Sequence, residues 1–335
     1  MAAKLVSVNE NSLKEAAKII HSGGIVATPT ETVYGLAADA TNPDAVKKIY
    51  AAKGRPSHNP LITHIATPEE ASNFAHIDER SKHIMAHHWP GALTLILPKK
   101  NTCPVCDLVT AKLNTIALRC PSNPVIRKLI LLSGKPLAAP SANISGSTSA
   151  TTPHYIAKTM GSSVDMILAG GAAQIGLEST VLDLSTEQPA ILRYGAITKD
   201  TLEGTIGEPI IDKTAPSESG DVKSPGLLLK HYAPETPIRL NAIDIIEGEA
   251  LLAFGSIKFM AIRRQGPASA LPHTSLRNLS ESSDLDEAAH NLFSMIQALD
   301  TKEHRGIAVM PIPDQGIGIA INDRLRRAAQ AQESS

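Results

Sequence analysis

Short apolar runs alternate with capped amphipathic stretches from Ile25 to Arg193, and that alternation restricts the chain to a layered α/β fold. Residues 25–28, 61–65, 93–97, 115–119 and 137–139 read as buried strands, followed by 166–168, 179–184 and 191–193. Helices are signalled between them. Ser12-x-x-Glu15 has the form of a capping box at a helix carrying Leu13, Ala16, Ala17 and Ile20, and Gly23-Gly24 stops it. Asn42-Pro43 offers an N-cap and a first-turn proline before Val46, Ile49 and Tyr50. Residues 78–88, 125–132 and 153–160 supply further helices. Several strand-to-strand links are short, so the sheet is expected to be mixed.

Periodicity fades over residues 203–237. Ser217-Glu-Ser-Gly-Asp221 has linker composition, and Ser224-Pro-Gly226 and Ala233-Pro234 punctuate the rest with prolines. Beyond it, 250–254, 259–262 and 307–310 read as strands. Asp284-x-x-Glu287 caps a helix whose Leu285, Ala288, Ala289, Leu292, Ile296 and Leu299 form one stripe. The expected organisation is a first α/β domain over 1–204, a linker over 205–236 and a smaller α/β domain over 237–335. With 335 residues and 42% hydrophobic content there is material for two cores.

Composition narrows the functional classes. Aromatics at 3% argue against a base-stacking platform, and a net charge of -1 argues against a chain basic overall. Three cysteines, Cys103, Cys106 and Cys120, fit a reducing compartment. Cys103-Pro-Val-Cys106 has no second ligand pair and reads as a loop. The first residues lack the order of a secretory signal, and no apolar run is long enough for a membrane span, so a cytoplasmic location is expected.

Two segments supply what a polyphosphate needs. Lys53-Gly-Arg55 places two cations where a helix runs out, and Ser141-Ala-Asn-Ile-Ser-Gly146 is a loop of short hydroxyl and amide groups after a strand. Taken singly, the cations also fit a solvated helix end. Thr28-Pro-Thr-Glu-Thr-Val-Tyr-Gly35 leaves a strand as a polar turn, where open sheets bind ligands, or serves as an ordinary βα loop. Asn59 and His64 follow, with His64 on the strand face of Ile62. Arg119 and Arg193 each end an apolar strand, and their convergence would make an anion site. Gly176-Leu-Glu-Ser-Thr180 adds a hydroxyl pair near a turn. Gly316-Ile-Gly318 reads as a turn into a helix. There is no Walker-type loop, no G-x-S-x-G elbow and no H-E-x-x-H pair, so catalysis is expected to rest on positioning and electrostatics.

Taken in order, Pro29-Thr-Glu-Thr-Val-Tyr-Gly-Leu36, Lys53-Gly-Arg-Pro56 with Asn59-Pro-Leu61, Pro90-Gly-x-x-Thr94, Arg119-Cys-Pro121, Ser141-Ala-Asn-x-Ser-Gly146, Glu178-Ser-Thr-Val181 and Leu192-Arg-x-Gly195 resemble the L-threonylcarbamoyl-AMP synthase family. Ser224-Pro-Gly-x-x-x-x-His-Tyr-Ala-Pro234 is similar to the linker of its long form. Gly316-Ile-Gly-x-Ala-Ile-x-Asp-Arg-Leu resembles the end of that form's accessory domain. The resemblance implies a YrdC-type open twisted mixed sheet with flanking helices and a Rossmann-like C-terminal domain. It implies synthesis of threonylcarbamoyl-AMP and pyrophosphate from L-threonine, bicarbonate and ATP. The product would pass to a transferase complex that modifies adenosine 37 of tRNA, and weak tRNA binding is conceivable on the same grounds. Mg²⁺ would come with ATP, with no tightly held metal.

Carried over by motif, Thr32, His64, Arg119, Ser141 and Ser179 would face threonine, with Arg119 on its carboxylate. Arg55, Asn59, Thr115, Asn143, Thr151, Arg193 and Tyr232 would face the nucleotide, with Lys53 and Arg55 as the catalytic cations. The linker would close over the cleft as a lid. Two other readings are a duplex-RNA-binding module and a carbamoyl-transferring maturation factor, the latter lacking here its zinc-finger cysteine pairs and acylphosphatase-like segment.

Overall fold

A computed structural model describes residues 3–215, 232–258, 260–263 and 266–333, which divide into two compact units. Among the described residues, eleven strands build the first: β1 (Lys4–Ser7), β2 (Val26–Thr28), β3 (Gly35–Asp39), β4 (Ile62–His64), β5 (Leu93–Pro98), β6 (Thr115–Arg119), β7 (Leu137–Ala138), β8 (Met166–Ala169), β9 (Thr180–Asp183), β10 (Ala190–Arg193) and β11 (Ile211–Asp212). They form one mixed sheet in the order β1-β8-β2-β3-β7-β4-β6-β5-β9-β10-β11. The helices are α1 (Glu10–His21), α2 (Pro43–Lys53), α3 (Glu79–His88), α4 (Asp107–Thr110), α5 (Pro124–Ser133), α6 (Pro153–Met160) and α7 (Lys199–Ile206).

Local chemistry sets the helix ends. Asn42 accepts from the amides of Asp44 and Ala45, Pro43 occupies the first turn, and Gly54 at φ 59° closes α2 in the left-handed region. The start of α1 differs from expectation. Its cap is Asn9, whose side chain accepts from the Ser12 amide while Ser12 returns the bond, so Ser12 is the third helical residue. Asparagine competes well with serine for this position, and the helix gains a turn.

The polar turn after β2 is a hairpin loop, since Thr28 pairs with Gly35 and β3 runs antiparallel to β2. β3 went unseen because Gly35-Leu-Ala-Ala-Asp39 carries no β-branched residue, yet all five residues are buried. The segment assigned to the linker from residue 205 also begins differently: β11 pairs parallel with β10 and extends the first sheet past that boundary.

Strand register sorts the side chains. Ile62 pairs with Ala117 and His64 with Arg119, while Ile96 pairs with Ala117 and Thr94 with Val181. Cross-strand partners share a face, so these residues stand together. Half of that face packs Val26, Ala37, Leu137 and Ala139 against Leu13, Ile20, Ile126 and Leu129 of α1 and α5. The other half has a floor of Ile62, Ile96, Ala117, Val181, Ala190 and Leu192. The opposite face belongs to the main core, including Leu36, Leu95, Leu118, Leu182, Ile49 and Ile84.

The second unit has an all-parallel sheet of β12 (Ile238–Arg239), β13 (Glu249–Ala253), β16 (Leu276–Asn278) and β17 (Gly306–Val309), in the order β12-β17-β13-β16. A two-stranded ribbon, β14 (Ala261–Ile262) and β15 (Gly266–Pro267), lies outside it. The expected strand over 259–262 is reduced to β14, and Phe259 lies outside the described residues. Helix α8 (Leu285–Leu299) is capped by Asp284 and buries Ala288, Ala289, Leu292, Phe293, Ile296 and Leu299, and α9 (Gly318–Glu333) ends the unit. No helix among the described residues is long and apolar enough to cross a membrane.

Gly195 closes the turn after β10 so tightly that a Cβ would lie 2.4 Å from the Thr180 amide nitrogen and 2.5 Å from the Glu178 carbonyl oxygen. Both neighbours are backbone and cannot swing away. Gly195→Ala should therefore lower stability by about 1–3 kcal/mol, read as a drop in the denaturation midpoint of the first unit.

Candidate active site

Arg119 stands at the end of β6 beside the hairpin loop. Its Nη2 donates to Glu31 Oε1 at 2.7 Å and to Thr32 Oγ1 at 2.9 Å, and its Nε donates to the Gly91 carbonyl at 3.3 Å. Thr32 also shares a 2.8 Å hydroxyl bond with Thr30. All of these side chains are buried. Nη1 of Arg119 makes no hydrogen bond among the described residues, so the guanidinium keeps a donor edge for an anion. Burial raises the Glu31 pKa, but attraction to Arg119 and its hydrogen bond outweigh that, and the carboxyl sits below its ordinary range. His64, register partner of Arg119, is fully buried; desolvation first and the Arg119 charge second push its pKa down to about 3. The ring is neutral at physiological pH.

A second cluster forms at the start of β9. Ser179 Oγ bonds Thr94 Oγ1 at 2.7 Å and accepts from Arg193 Nη2 at 3.1 Å, while Arg193 Nε donates to the Ser179 carbonyl at 3.0 Å. The β9–β10 register shifts between Ile191 and Arg193, so that Arg193 pairs with Val181. The turn at Gly91 links the two clusters, because the Gly91 amide donates to the Cys120 carbonyl and the Thr180 amide to the Ala92 carbonyl.

The cations after α2 are not a solvated helix end. Lys53 is 1% exposed and its Nζ donates to the carbonyls of Ser141 at 2.5 Å and Asn143 at 2.7 Å. The Ser145 amide returns a bond to the Lys53 carbonyl at 2.8 Å. Burial, helped by the Arg55 charge and opposed by Glu178, pulls the Lys53 pKa well below the ordinary lysine value. Lys53 therefore clamps the Ser141–Ser145 loop; the sequence alone had offered it as a phosphate cation. Arg55, also buried, donates to the carbonyls of Asn59 and Pro60. Asn59 is fully buried with neither side-chain amide atom bonded among the described residues, and the Thr151 hydroxyl is in the same state. A buried polar atom without any partner costs roughly 1–3 kcal/mol, so both groups are candidates for a ligand contact.

The structure thus gathers Thr32, Arg119 and His64; Ser179 and Arg193; and Lys53, Arg55, Asn59, Ser141 and Asn143. Thr151 joins the last group through Ala150, whose carbonyl accepts from the Tyr34 amide, while the Tyr34 carbonyl accepts from Ala142. Thr115 shares the Arg119 face but begins β6, about 13 Å along the strand from Arg119. Tyr232 belongs to the second unit: it is buried at φ 66°, its ring 5.5 Å from that of Phe293 and 5.0 Å from the Arg324 guanidinium. The Ser224-Pro-Gly motif and His231 lie outside the described residues. Glu31 and Thr94 were missed as site residues, although both stand inside motifs singled out from the sequence. A carboxylate set between two threonines just past a strand end was the available signal for Glu31.

Buried arginines, short hydroxyls and the Asn59 amide together make a candidate site for an anionic ligand. Comparison with known proteins agrees. A family described as "Telomere recombination" matches residues 18–195, and "Threonylcarbamoyl-AMP synthase, C-terminal domain" matches residues 197–330. The threonylcarbamoyl-AMP synthase of Bacillus subtilis is 38% identical, over 97% of this chain and 94% of the relative. That of Pyrococcus abyssi is 36% identical, over 96% and 95%. The crystal structure of P. abyssi Sua5 complexed with L-threonine superimposes with a TM-score of 0.86 at 34% identity, covering 99% of this chain and 98% of that one. This chain belongs to the threonylcarbamoyl-AMP synthase family, in its two-domain form.

His64 gives a direct check on the site's electrostatics. Its folded pKa lies near 3 against an ordinary value of 6.5, so the unfolded chain binds a proton the folded one refuses. The His64 contribution to stability should fall as pH drops from 6.5 towards 3. Its ring resonances should stay constant between about pH 5 and 8, where an exposed histidine titrates.

Proposed function

We propose that this chain synthesises L-threonylcarbamoyl-AMP and pyrophosphate from L-threonine, bicarbonate or CO₂, and ATP, the first step in forming threonylcarbamoyladenosine on tRNA. The observation that carries the reading is the free donor edge of Arg119, buried among Thr32, His64 and Glu31 in a chain of this family. A carboxylate can take a charge-assisted hydrogen bond from the remaining Nη1, which orients the amino acid.

The chemistry follows from the charges. The threonine carboxylate sits on Arg119, and the neutral His64 adds no charge that would bias the amine. The free amine adds to CO₂, forming a C–N bond and losing a proton to give a carbamate. A carbamate oxygen attacks the α-phosphorus of ATP, and the bond to pyrophosphate breaks. Both reactants are anions, so Arg55 and Arg193 offset their repulsion and steady the charge on the transferring phosphoryl group. Asn59, Asn143 and Thr151 supply neutral polar contacts to the nucleotide, and Ser179, held by Thr94 and Arg193, faces the threonine side. Mg²⁺ would neutralise phosphate oxygens when bound. No cluster of three metal-ligating side chains exists among the described residues, and Glu31 is tied to Arg119, so the donor set suits an ion carried in by the phosphates. Tyr232 as a nucleotide contact, a cytoplasmic location and transfer of the product to a tRNA-modifying transferase belong to this same proposal.

Pyrophosphate release should require threonine and bicarbonate together; equal ATP cleavage with either omitted overturns the reading. Asn59→Ala should raise the KM for ATP about tenfold, the loss of one or two hydrogen bonds. Its folding stability should be little changed, since the side-chain amide makes no hydrogen bond among the described residues. A stability loss with normal KM would make Asn59 structural.

A further inference from the structure

The second unit includes residues 146–149 and 175–177, short segments that the sequence embeds in the first half of the chain. One follows Asn143 and precedes Thr151; the other ends two residues before Ser179. Both meet α8. Gln297 Nε2 donates to Thr148 Oγ1 at 3.2 Å and to the Ser149 carbonyl at 2.9 Å. Gly176, at φ 81°, lies so close to the helix that a Cβ would stand 2.5 Å from the Ala289 carbonyl oxygen and 2.7 Å from His290 Cα. Phe293 packs on Tyr232, and the next amide, of Ala233, donates to the Gly146 carbonyl at 2.8 Å. Residues 289, 293 and 297 recur every fourth position, so one face of α8 holds all three segments.

We infer that α8 seats the loops that carry the nucleotide and threonine contacts, with Gln297 as a positioning residue for the nucleotide side; this rests on the synthase reading. Gln297 acts through the chain. Ser149 leads directly to Ala150, whose carbonyl holds the Tyr34 amide at 2.9 Å, and to Thr151, whose carbonyl holds the Ala173 amide at 2.9 Å. Leu177 leads through Glu178 to Ser179 in the same way. A purely stabilising helix would protect the fold as a whole. A positioning helix protects two substrate affinities separately, because it touches two loops at separate residues.

The test uses the full-length protein and two substitutions. Gln297→Met keeps the side chain's size and removes both donated bonds. Amide exchange at Tyr34 and Ala173 should then quicken about three- to tenfold, and the KM for ATP should rise by a similar factor. The kcat and the KM for threonine should stay within about twofold of normal. Gly176→Ala should instead raise the KM for threonine; if it fails to fold, Gln297→Met alone decides. Unchanged exchange at both amides, or a loss confined to kcat in proportion to the unfolded fraction, overturns the positioning role. Faster exchange in a protein whose wild type shows no threonine-dependent pyrophosphate release supports the seating by α8 and overturns the synthase reading.

Discussion

The buried ion pair between Arg119 and Glu31 is the interaction on which the site depends. Desolvating two charges costs several kcal/mol each, and only close geometry with further hydrogen bonds offsets it. Here the pair is 2.7 Å apart, Thr32 and the Gly91 carbonyl take other guanidinium donors, and Glu31 also accepts from the Asn123 amide at the start of α5. One pair therefore ties the hairpin loop, the end of β6, the Gly91 turn and a helix N-terminus. Losing either partner would leave the other charge buried alone, which is why the pair fixes a geometry as well as an energy.

Lys53 plays a similar part, without a carboxylate at hydrogen-bonding distance among the described residues. Its ammonium is satisfied by two carbonyl oxygens, and its charge is weakened by burial. The permanent charge comes from arginines, whose guanidinium groups stay protonated when buried. Around them the molecule leaves Asn59 and Thr151 unbonded among the described residues, a stability cost that a ligand can repay.

Much of this was legible along the chain. The α/β alternation, the second domain, the strand-end arginines and the Ser141–Gly146 loop all carry local signals: apolar period, caps, punctuation and residue type. What failed did so for physical reasons. β3, Gly35-Leu-Ala-Ala-Asp39, holds no β-branched or aromatic residue, and pairing with its neighbours β2 and β7 makes it a strand. The cap of α1 moved from Ser12 to Asn9 because two good capping residues stood three apart. The burial of Lys53 was not legible locally, because a lysine at a helix exit is exposed by default and its partners lie on a loop almost ninety residues away.

The sequence by itself determined the layers and the family, because periodicity, turn chemistry and motif order are properties of neighbouring positions. The tertiary structure decided which charge does what. Arg119 is half committed to Glu31 and half free, His64 is held neutral, and segments 146–149 and 175–177 join the second unit. Those outcomes depend on desolvation and on contacts between residues far apart in the chain, and neither is encoded in any local stretch.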